Sequence, residues 1–379
     1  MFSVYFHIPF CRKACHYCDF HFSTQLGSVE AMVEAMEREL AVRAAGWEAM
    51  GSPGTVYFGG GTPSVLHPDH IARLLGAVRH HFPGGVWEEV TLEANPDDLT
   101  PERLAGWRAA GVDRLSVGVQ TFDDALLGWM GRTHTGDAAA EAVRRAGEAG
   151  FKRMTLDLMY GLPGRDLAGW ERDLERALAL PVNHLSAYVL TVEPRTALGV
   201  RVARGLEREA PEAAVEAAYR HLCAETAARG WAHYEVSNFA PAGGEAVHNA
   251  RYWEGVPYLG IGPGAHGFTG QIRYANRPNN PLYLKAIRSG DALPEDRETL
   301  TRTDRYNEQL MTGLRTARGI DLLALEAAFG MRPDRAEAAA WEATVERGDL
   351  VEAGGRWRIP ELRWLVGDAI AADLFTLAD

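Results

Sequence analysis

Short apolar runs alternate along the first half of the chain with longer stretches whose apolar residues recur every three or four positions. The runs SVYFHIP (3–9), TVYFG (55–59), EVTLEA (89–94), RLSVGVQ (114–120), RMTLDLMYG (153–161) and HLSAYVLT (184–191) have the β-branched and aromatic content of strands. The stretches 28–46, 68–82, 101–110, 137–149 and 167–179 carry helical spacing. Strands separated by helices of this length predict successive βα units around a parallel sheet. Six right-handed units of this kind curl toward a barrel, so the pattern predicts an α/β fold, a partial (β/α)6-type barrel.

The pattern then changes. Residues 212–229 read as a helix stopped by Gly230, and WAHYEVSNFA (231–240) as a strand and loop. The Gly/Pro-rich PYLGIGPGAHGF (257–268) is expected to close the barrel face. From about 296, NEQLMTGLRTARGID, LLALEAAFG and AEAAAWEATVERG read as three helices, and LVEAGGRWRIP (350–360) as a hairpin turning at Gly354–Gly355. Three helices and a hairpin predict a small winged-helix-like unit serving as a lid or packing element. The expected division is 1–240 for the barrel, 241–295 for a barrel-closing segment that contains HNARYW, and 296–379 for the C-terminal unit.

In such a barrel, chemistry sits on the loops after the strand C-termini. The unusual residues fall there: Cys11–Cys18 after the first strand, GGGTP (59–63) after the second and EANP (93–96) closing the third. Gln120 ends the fourth, and Asp157 lies in the fifth shortly before YGLP (160–163).

Cys11, Cys15 and Cys18 crowd into eight residues, whereas Cys223 stands alone within a helix. A disulfide framework would spread pairs along a short secreted chain. Thiolates at C-x3-C-x2-C spacing can instead wrap one soft metal centre. Two readings stay open: a zinc ion completed by His7, His16 or His21, and an iron–sulfur cluster with one iron left to an outside ligand. Three consecutive glycines at 59–61 let backbone approach a ligand closely. A small molecule with an amino group and a carboxylate, such as S-adenosylmethionine (SAM), would suit an open iron. A tight strand-to-helix turn is the simpler explanation of the same glycines.

Composition narrows the partners. With 51 Asp and Glu against 39 Lys and Arg, the formal charge is −12, which argues against nucleic acid. No apolar run is long enough to span a membrane, and the N-terminus lacks the basic region of a signal peptide, so a cytoplasmic protein is expected. Three lysines in all make a Schiff-base enzyme a poor candidate.

The motif YFHIPFCRKACHYCDF (5–20) followed by GGGTP resembles the radical SAM superfamily. EANP (93–96), SVGVQTF (116–122), GRTH (131–134), TLDLMYGLPGR (155–165) and SNFA…HNARYW…YLGIGPGAHGF extend the resemblance over nearly the whole chain. Together they resemble the HemN/HemW group, the oxygen-independent coproporphyrinogen III oxidases and their haem-chaperone relatives. The resemblance implies a 4Fe-4S cluster on Cys11, Cys15 and Cys18 with SAM chelating the open iron. By motif, Tyr5 and Tyr17 flank SAM, Gly60, Gly61 and Thr62 line its methionine end, and Glu93 meets a polar group. Gln120, Arg132 and Asp157 match further SAM contacts, some of them to a second SAM molecule in the oxidases.

Two departures from the oxidases are visible. The chain begins ten residues before Cys11, where the oxidases carry a longer arm, and Asp19-Phe20 replaces their Gly-Cys. HNARYW resembles the HNxxYW motif of the haem chaperones, which implies His248 as a haem ligand in a loop, with Tyr252 and Trp253 against the macrocycle. Three functions follow as expectations. The leading one is a haem chaperone that hands haem to a recipient protein. The second is a coproporphyrinogen III oxidase, an oxidoreductase acting on a porphyrinogen and needing an electron donor. The third is a zinc-stabilised barrel.

Overall fold

The computed structural model describes residues 1–377. Six parallel strands pair in sequence order: β1 (Phe2–Ile8), β2 (Pro53–Gly60), β3 (Glu89–Ala94), β4 (Arg114–Gln120), β5 (Arg153–Tyr160) and β6 (His184–Val189). The helices between them are α1 (Val29–Ala44), α2 (Pro68–His81), α3 (Pro101–Ala110), α4 (Asp124–Met130), α5 (Gly136–Glu148) and α6 (Leu167–Leu178). The helices start where capping chemistry dictates: Thr100, Asp123, Thr135 and Asp166 each accept a backbone N–H of the first turn. One face of the sheet is apolar throughout. Val4, Phe6, Ile8, Val56, Phe58, Leu92, Leu115, Val117, Leu156 and Leu185 are buried beneath the helices.

After β6 come α7 (Ala197–Ala203), α8 (Glu212–Ala228), β7 (Ala232–Glu235), β8 (Asn238–Ala240), α9 (Val247–Trp253), β9 (Tyr258–Ile261), β10 (His266–Phe268), β11 (Ile272–Asn276), α10 (Asn280–Ser289) and β12 (Glu295–Thr299). Residues 241–295 do not close the sheet on itself. β9 pairs parallel with the free side of β1, and β10, β11 and β12 follow antiparallel. β8 and β7 extend the other side beyond β6, so the twelve strands form one open sheet with β12 and β7 at its ends. Strand β12 is part of this sheet, so a boundary at 296 would cut through it; the helical unit follows it. Helices α11 (Arg302–Leu314), α12 (Leu322–Phe329), α13 (Pro333–Ala336) and α14 (Ala338–Glu346) precede the hairpin β13 (Val351–Ala353) and β14 (Arg356–Arg358), and α15 (Gly367–Ala372) ends the unit. It docks on β7 through Val236 N–H to Arg315 O (2.9 Å) and Ala317 N–H to Tyr234 O (3.0 Å).

The sheet's other face, inside the open barrel, is polar. Arg114 and Glu89 are both fully buried there, 3.4 Å apart. Arg114 also donates to Thr155 Oγ1 and Gly244 O, each at 3.2 Å. Glu89 accepts the backbone N–H groups of Val247 (3.1 Å) and His248 (2.9 Å), pinning the start of α9 across the barrel floor. Removing one member strands the other charge out of water. Glu89→Ala is therefore expected to cost roughly 3–5 kcal/mol of stability in denaturant unfolding, and Glu89→Leu/Arg114→Leu together should lose less than Glu89→Ala alone.

Candidate active site at the barrel mouth

Parallel pairing runs past the end of β1 and β2. Gly61 N–H donates to Ile8 O (2.9 Å) and Thr62 N–H to Phe10 O (2.7 Å), which brings GGGTP against the cysteine loop. Thr62 Oγ1 then donates to Cys11 Sγ at 3.3 Å. The loop is clamped from the far side by His16 N–H on Met130 O (3.0 Å) and Leu198 N–H on His16 O (2.8 Å). Tyr17 is half-buried beside Arg132 and packs against the cluster Met130, Met159, Leu162, Leu190 and Leu198, a small apolar group apart from the main core. Arg132 points its guanidinium at Cys15 Sγ (3.7 Å), Asn95 Oδ1 (2.9 Å) and Gly118 O. One cation thus faces a thiol and two ends of neighbouring strands.

All three cysteines are free and half-buried. Burial pushes the Cys11 thiol up to about 11, with Cys18 and Cys15 adding to the rise, and burial raises Cys18 as well. Anionic sulfur in this loop therefore requires a cation at the site. The histidines offered for zinc each have one ring nitrogen occupied: His7 Nε2 by His21 O (2.9 Å), His16 Nδ1 by Trp129 O (2.6 Å) and His21 Nε2 by Asn280 Oδ1 (2.8 Å). Among the described residues, no three ligand atoms of this loop come within 4.8 Å of one another. Ligands of one tetrahedral zinc would be about 3.3–3.8 Å apart.

Inside the mouth, the expected residues converge. Tyr57 donates to Glu93 Oε1 at 2.8 Å, and Tyr5 stacks on Tyr57 with centroids 5.9 Å apart. Burial lifts the Glu93 carboxyl from the usual 4.5 to about 8. Asp157 accepts Ser116 Oγ at 3.1 Å, and burial raises it to about 6. Gln120 has φ of +73°, the one non-glycine residue in the left-handed region among those described, at an irregularity in the β4–β5 pairing. Such strain concentrates at functional positions. Gly60 has φ of +109°, and a Cβ there would sit 2.8 Å from the His7 ring. The Gly60 glycine is thus already demanded by packing, whatever ligand it meets.

Sequence reasoning missed Tyr57, Ser116, Ser186 and Tyr188, which surround a cavity of about 50 Å3 with Glu93 and Asp157. Their signal was available: polar residues at alternate positions within otherwise apolar strands mark a second buried face. It also read HNARYW as a loop, with His248 either a haem ligand or a hydrogen-bonded residue of the surface or core; the structure corrects the loop and places the ring in the core. The motif forms α9, and His248 is 1% exposed. Thr55 donates to Ser3 Oγ (2.9 Å), so His248 donates from Nδ1 to Thr55 (2.8 Å) and accepts at Nε2 from the Tyr252 hydroxyl (2.9 Å). Burial drives its pKa to about 3, leaving a neutral ring whose one lone pair is already occupied.

Tyr252 and Trp253 do face open space. They line a cavity of about 1250 Å3 between the sheet and the C-terminal unit, together with Tyr188, Tyr258, Arg305 and Arg315. A second cavity of about 750 Å3, lined by Tyr5, Gly60 and Glu93, lies on the cysteine-loop side. Tyr252 and Tyr258 line both and form the wall between them.

The radical SAM superfamily model matches residues 5–177 and the HemN C-terminal domain model residues 300–366. Mycobacterium tuberculosis "Heme chaperone HemW" is 40% identical over 380 residues, covering 98% of this chain and 94% of the relative. The chain belongs to the HemW family of the radical SAM superfamily. HemW of Lactococcus lactis is 39% identical over 319 residues, 84% of this chain and 82% of the relative. HemW of Escherichia coli is 33% identical over 369 residues, 95% and 94% of the two chains. The fold matches the solved coproporphyrinogen III oxidase HemN of Escherichia coli with a TM-score of 0.85, at 22% identity, covering 99% of this chain and 90% of that one. The radical SAM fold expected from sequence is thereby established, with the HemN-type helical domain after it. Membership in this superfamily implies a 4Fe-4S cluster and SAM. No helix among the described residues is long and apolar enough to cross a membrane.

Cys11→Ala, Cys15→Ala and Cys18→Ala should each abolish the brown colour and the iron of anaerobically reconstituted protein, roughly four atoms per chain, while Cys223→Ala should retain them. Metal analysis with absorption near 400 nm reads the outcome. A second expectation concerns Glu93. Its folded pKa lies above the unfolded value, so the folded state holds the proton more tightly. Its contribution is complete below about pH 4.5 and is lost as pH rises through about 8. Glu93→Gln should therefore gain stability relative to the wild-type protein between pH 4.5 and 8.5, measured as urea midpoints.

Proposed function

We propose that this HemW-family chain is a haem chaperone that holds a 4Fe-4S cluster on Cys11, Cys15 and Cys18, binds SAM in the adjoining cavity, and carries haem in the larger one for delivery to a recipient protein. When bound, the cluster and SAM supply one-electron chemistry; the chain supplies position and shelter. On this reading Tyr5, Gly60, Gly61, Thr62 and Glu93 line the SAM cavity on the cluster side. Arg132 compensates the thiolate charge, and Tyr17 closes the loop from below. Asp157 and Gln120 stand deeper in the barrel, where a ribose or amino group would find an acceptor and an amide.

The observation that carries the haem reading is the large cavity with an aromatic wall, next to the cluster-side cavity and separated from it only by Tyr252 and Tyr258. Its size suits a macrocycle larger than most ligands, for which cavities of about 300–1,000 Å3 are usual. Trp253 and Tyr252 offer ring faces, and Arg305 and Arg315 offer cations for propionates. Lining residues whose buried polar atoms lack a partner include Asn238 Oδ1 and Arg305 Nε. His248 acts through Tyr252, fixing its hydroxyl, and does not itself reach the macrocycle.

Haem titration followed by its Soret band tests this. Trp253→Ala should weaken binding about tenfold, the loss of one well-stacked ring. His248→Gln, which keeps partners for Thr55 and Tyr252, should stay within about threefold of the parent. Loss of the Soret shift in His248→Gln would restore iron ligation by that ring. Vinyl formation from coproporphyrinogen III over many turnovers, with SAM and a reductant, would replace the chaperone with an oxidase.

A further inference from the structure

Among the described residues, one group of metal-ligating side chains brings its ligand atoms together, away from the cysteine loop. Cys223 lies on α8, His233 on β7 and Glu361 in the helical turn Glu361–Val366 of the C-terminal unit. Cys223 Sγ, His233 Nδ1 and one Glu361 carboxylate oxygen all lie within 4.8 Å of one another. Sulfur stands 4.0 Å from Nδ1, and the carboxylate oxygen 2.9 Å from the same nitrogen. One ring nitrogen cannot serve both. It satisfies the carboxylate and leaves the thiol at a distance.

The far side of the ring meets a second acceptor. His233 Nε2 faces Val236 O at 3.4 Å. That carbonyl only accepts, and so does the Glu361 carboxylate beside Nδ1, so a neutral ring, with its one hydrogen, can donate to only one of the two. With the hydrogen on Nε2, the Nδ1 lone pair meets the Glu361 carboxylate; with it on Nδ1, the Nε2 lone pair meets Val236 O. A second proton on the ring, or a cation held by Nδ1, the carboxylate and the Cys223 sulfur, satisfies both sides at once. A backbone carbonyl that holds the remote N–H is also how proteins orient a metal-binding histidine. The ring cannot swing away: it stacks on Phe239 at 3.9 Å and meets the edge of Trp364 at 4.4 Å. Its side chain is 3% exposed, whereas that of Glu361 is 44% exposed and leaves a path from solvent.

We propose that Cys223, His233 and Glu361 form a second metal site, separate from the cluster loop, that takes one zinc ion. One sulfur, one nitrogen and one oxygen suit zinc, whose bonds of about 2.0–2.3 Å set the three ligand atoms about 3.3–3.8 Å apart. Shifts of about an ångström or less bring this set to that geometry. Water completes the tetrahedron on the solvent side. Because α8 and β7 flank the sheet and Glu361 comes from the C-terminal unit, the ion would bind both halves of the protein together. The site does not depend on the haem reading.

The test uses the full chain with its iron–sulfur cluster reconstituted, dialysed against zinc, with metal analysis and zinc K-edge absorption. The expected result is one zinc per chain with a single sulfur at about 2.3 Å. Cys223→Ser and Glu361→Gln should each weaken zinc binding at least about tenfold with iron content unchanged. Zinc should also raise the Tm of the parent protein and not of the variants. Should Cys223→Ser fail to fold, Glu361→Gln carries the test, since it replaces a half-exposed side chain by one of equal size. No bound zinc, a three-sulfur environment belonging to the cluster loop, or unaltered affinity in Glu361→Gln would overturn the proposal.

Discussion

Everything at the barrel mouth depends on the register of β1. It lies inside the twelve-stranded sheet, paired parallel with β2 on one side and β9 on the other. Along a strand the side chains alternate, so Tyr5 and His7 face the polar interior only because Val4, Phe6 and Ile8 face the helices. A slip of one residue would exchange these sets. The same ladder continues through Gly61 and Thr62, so the pairing that folds the sheet also fixes how far GGGTP stands from Cys11. Sheet stability and cluster geometry therefore share their hydrogen bonds.

The interior shows a second dependence, this time electrostatic. Glu89, Arg114, Glu93 and Asp157 lie on neighbouring strands of one sheltered face, and each meets burial differently. Glu89 and Arg114 neutralise each other and recruit the backbone of α9. Glu93 and Asp157 lack so close a cation, and both are pushed toward the protonated form. The floor of the barrel is thus held by a fixed ion pair, and its upper part keeps acids that respond to pH. That division leaves the reactive end adjustable without loosening the scaffold.

How much could be read from the chain alone follows from which interactions are local. The six parallel strands and the helices between them were legible because each buries a continuous apolar face, and β3 and β4 have the bounds that their pattern predicts. The cysteine loop was legible because three thiols in eight residues have few other uses. Helix α9 was not, since seven residues give too little periodicity, and its start is fixed by Glu89, more than 150 residues earlier. The function of His248 was hidden for the same reason: Thr55 and Tyr57 become its neighbours only when β2 passes beneath it. Tyr57, Ser116 and Ser186 were overlooked because strands buried on both faces seem uniformly apolar until every second residue is examined.

An open sheet differs from a closed barrel in having two ends, each with unpaired backbone groups that could recruit a strand from another molecule. The two ends are guarded differently. At β7 the edge is covered by the segment around Arg315–Ala317, which takes up its backbone donors and acceptors. At β12 no described strand pairs with the free side, but the strand reads Glu-Asp-Arg-Glu-Thr and is largely exposed. An incoming strand would have to strip water from four charges in five residues. The charged edge thus acts as a barrier to aggregation, and it lets the sheet stay open without becoming a template for fibres.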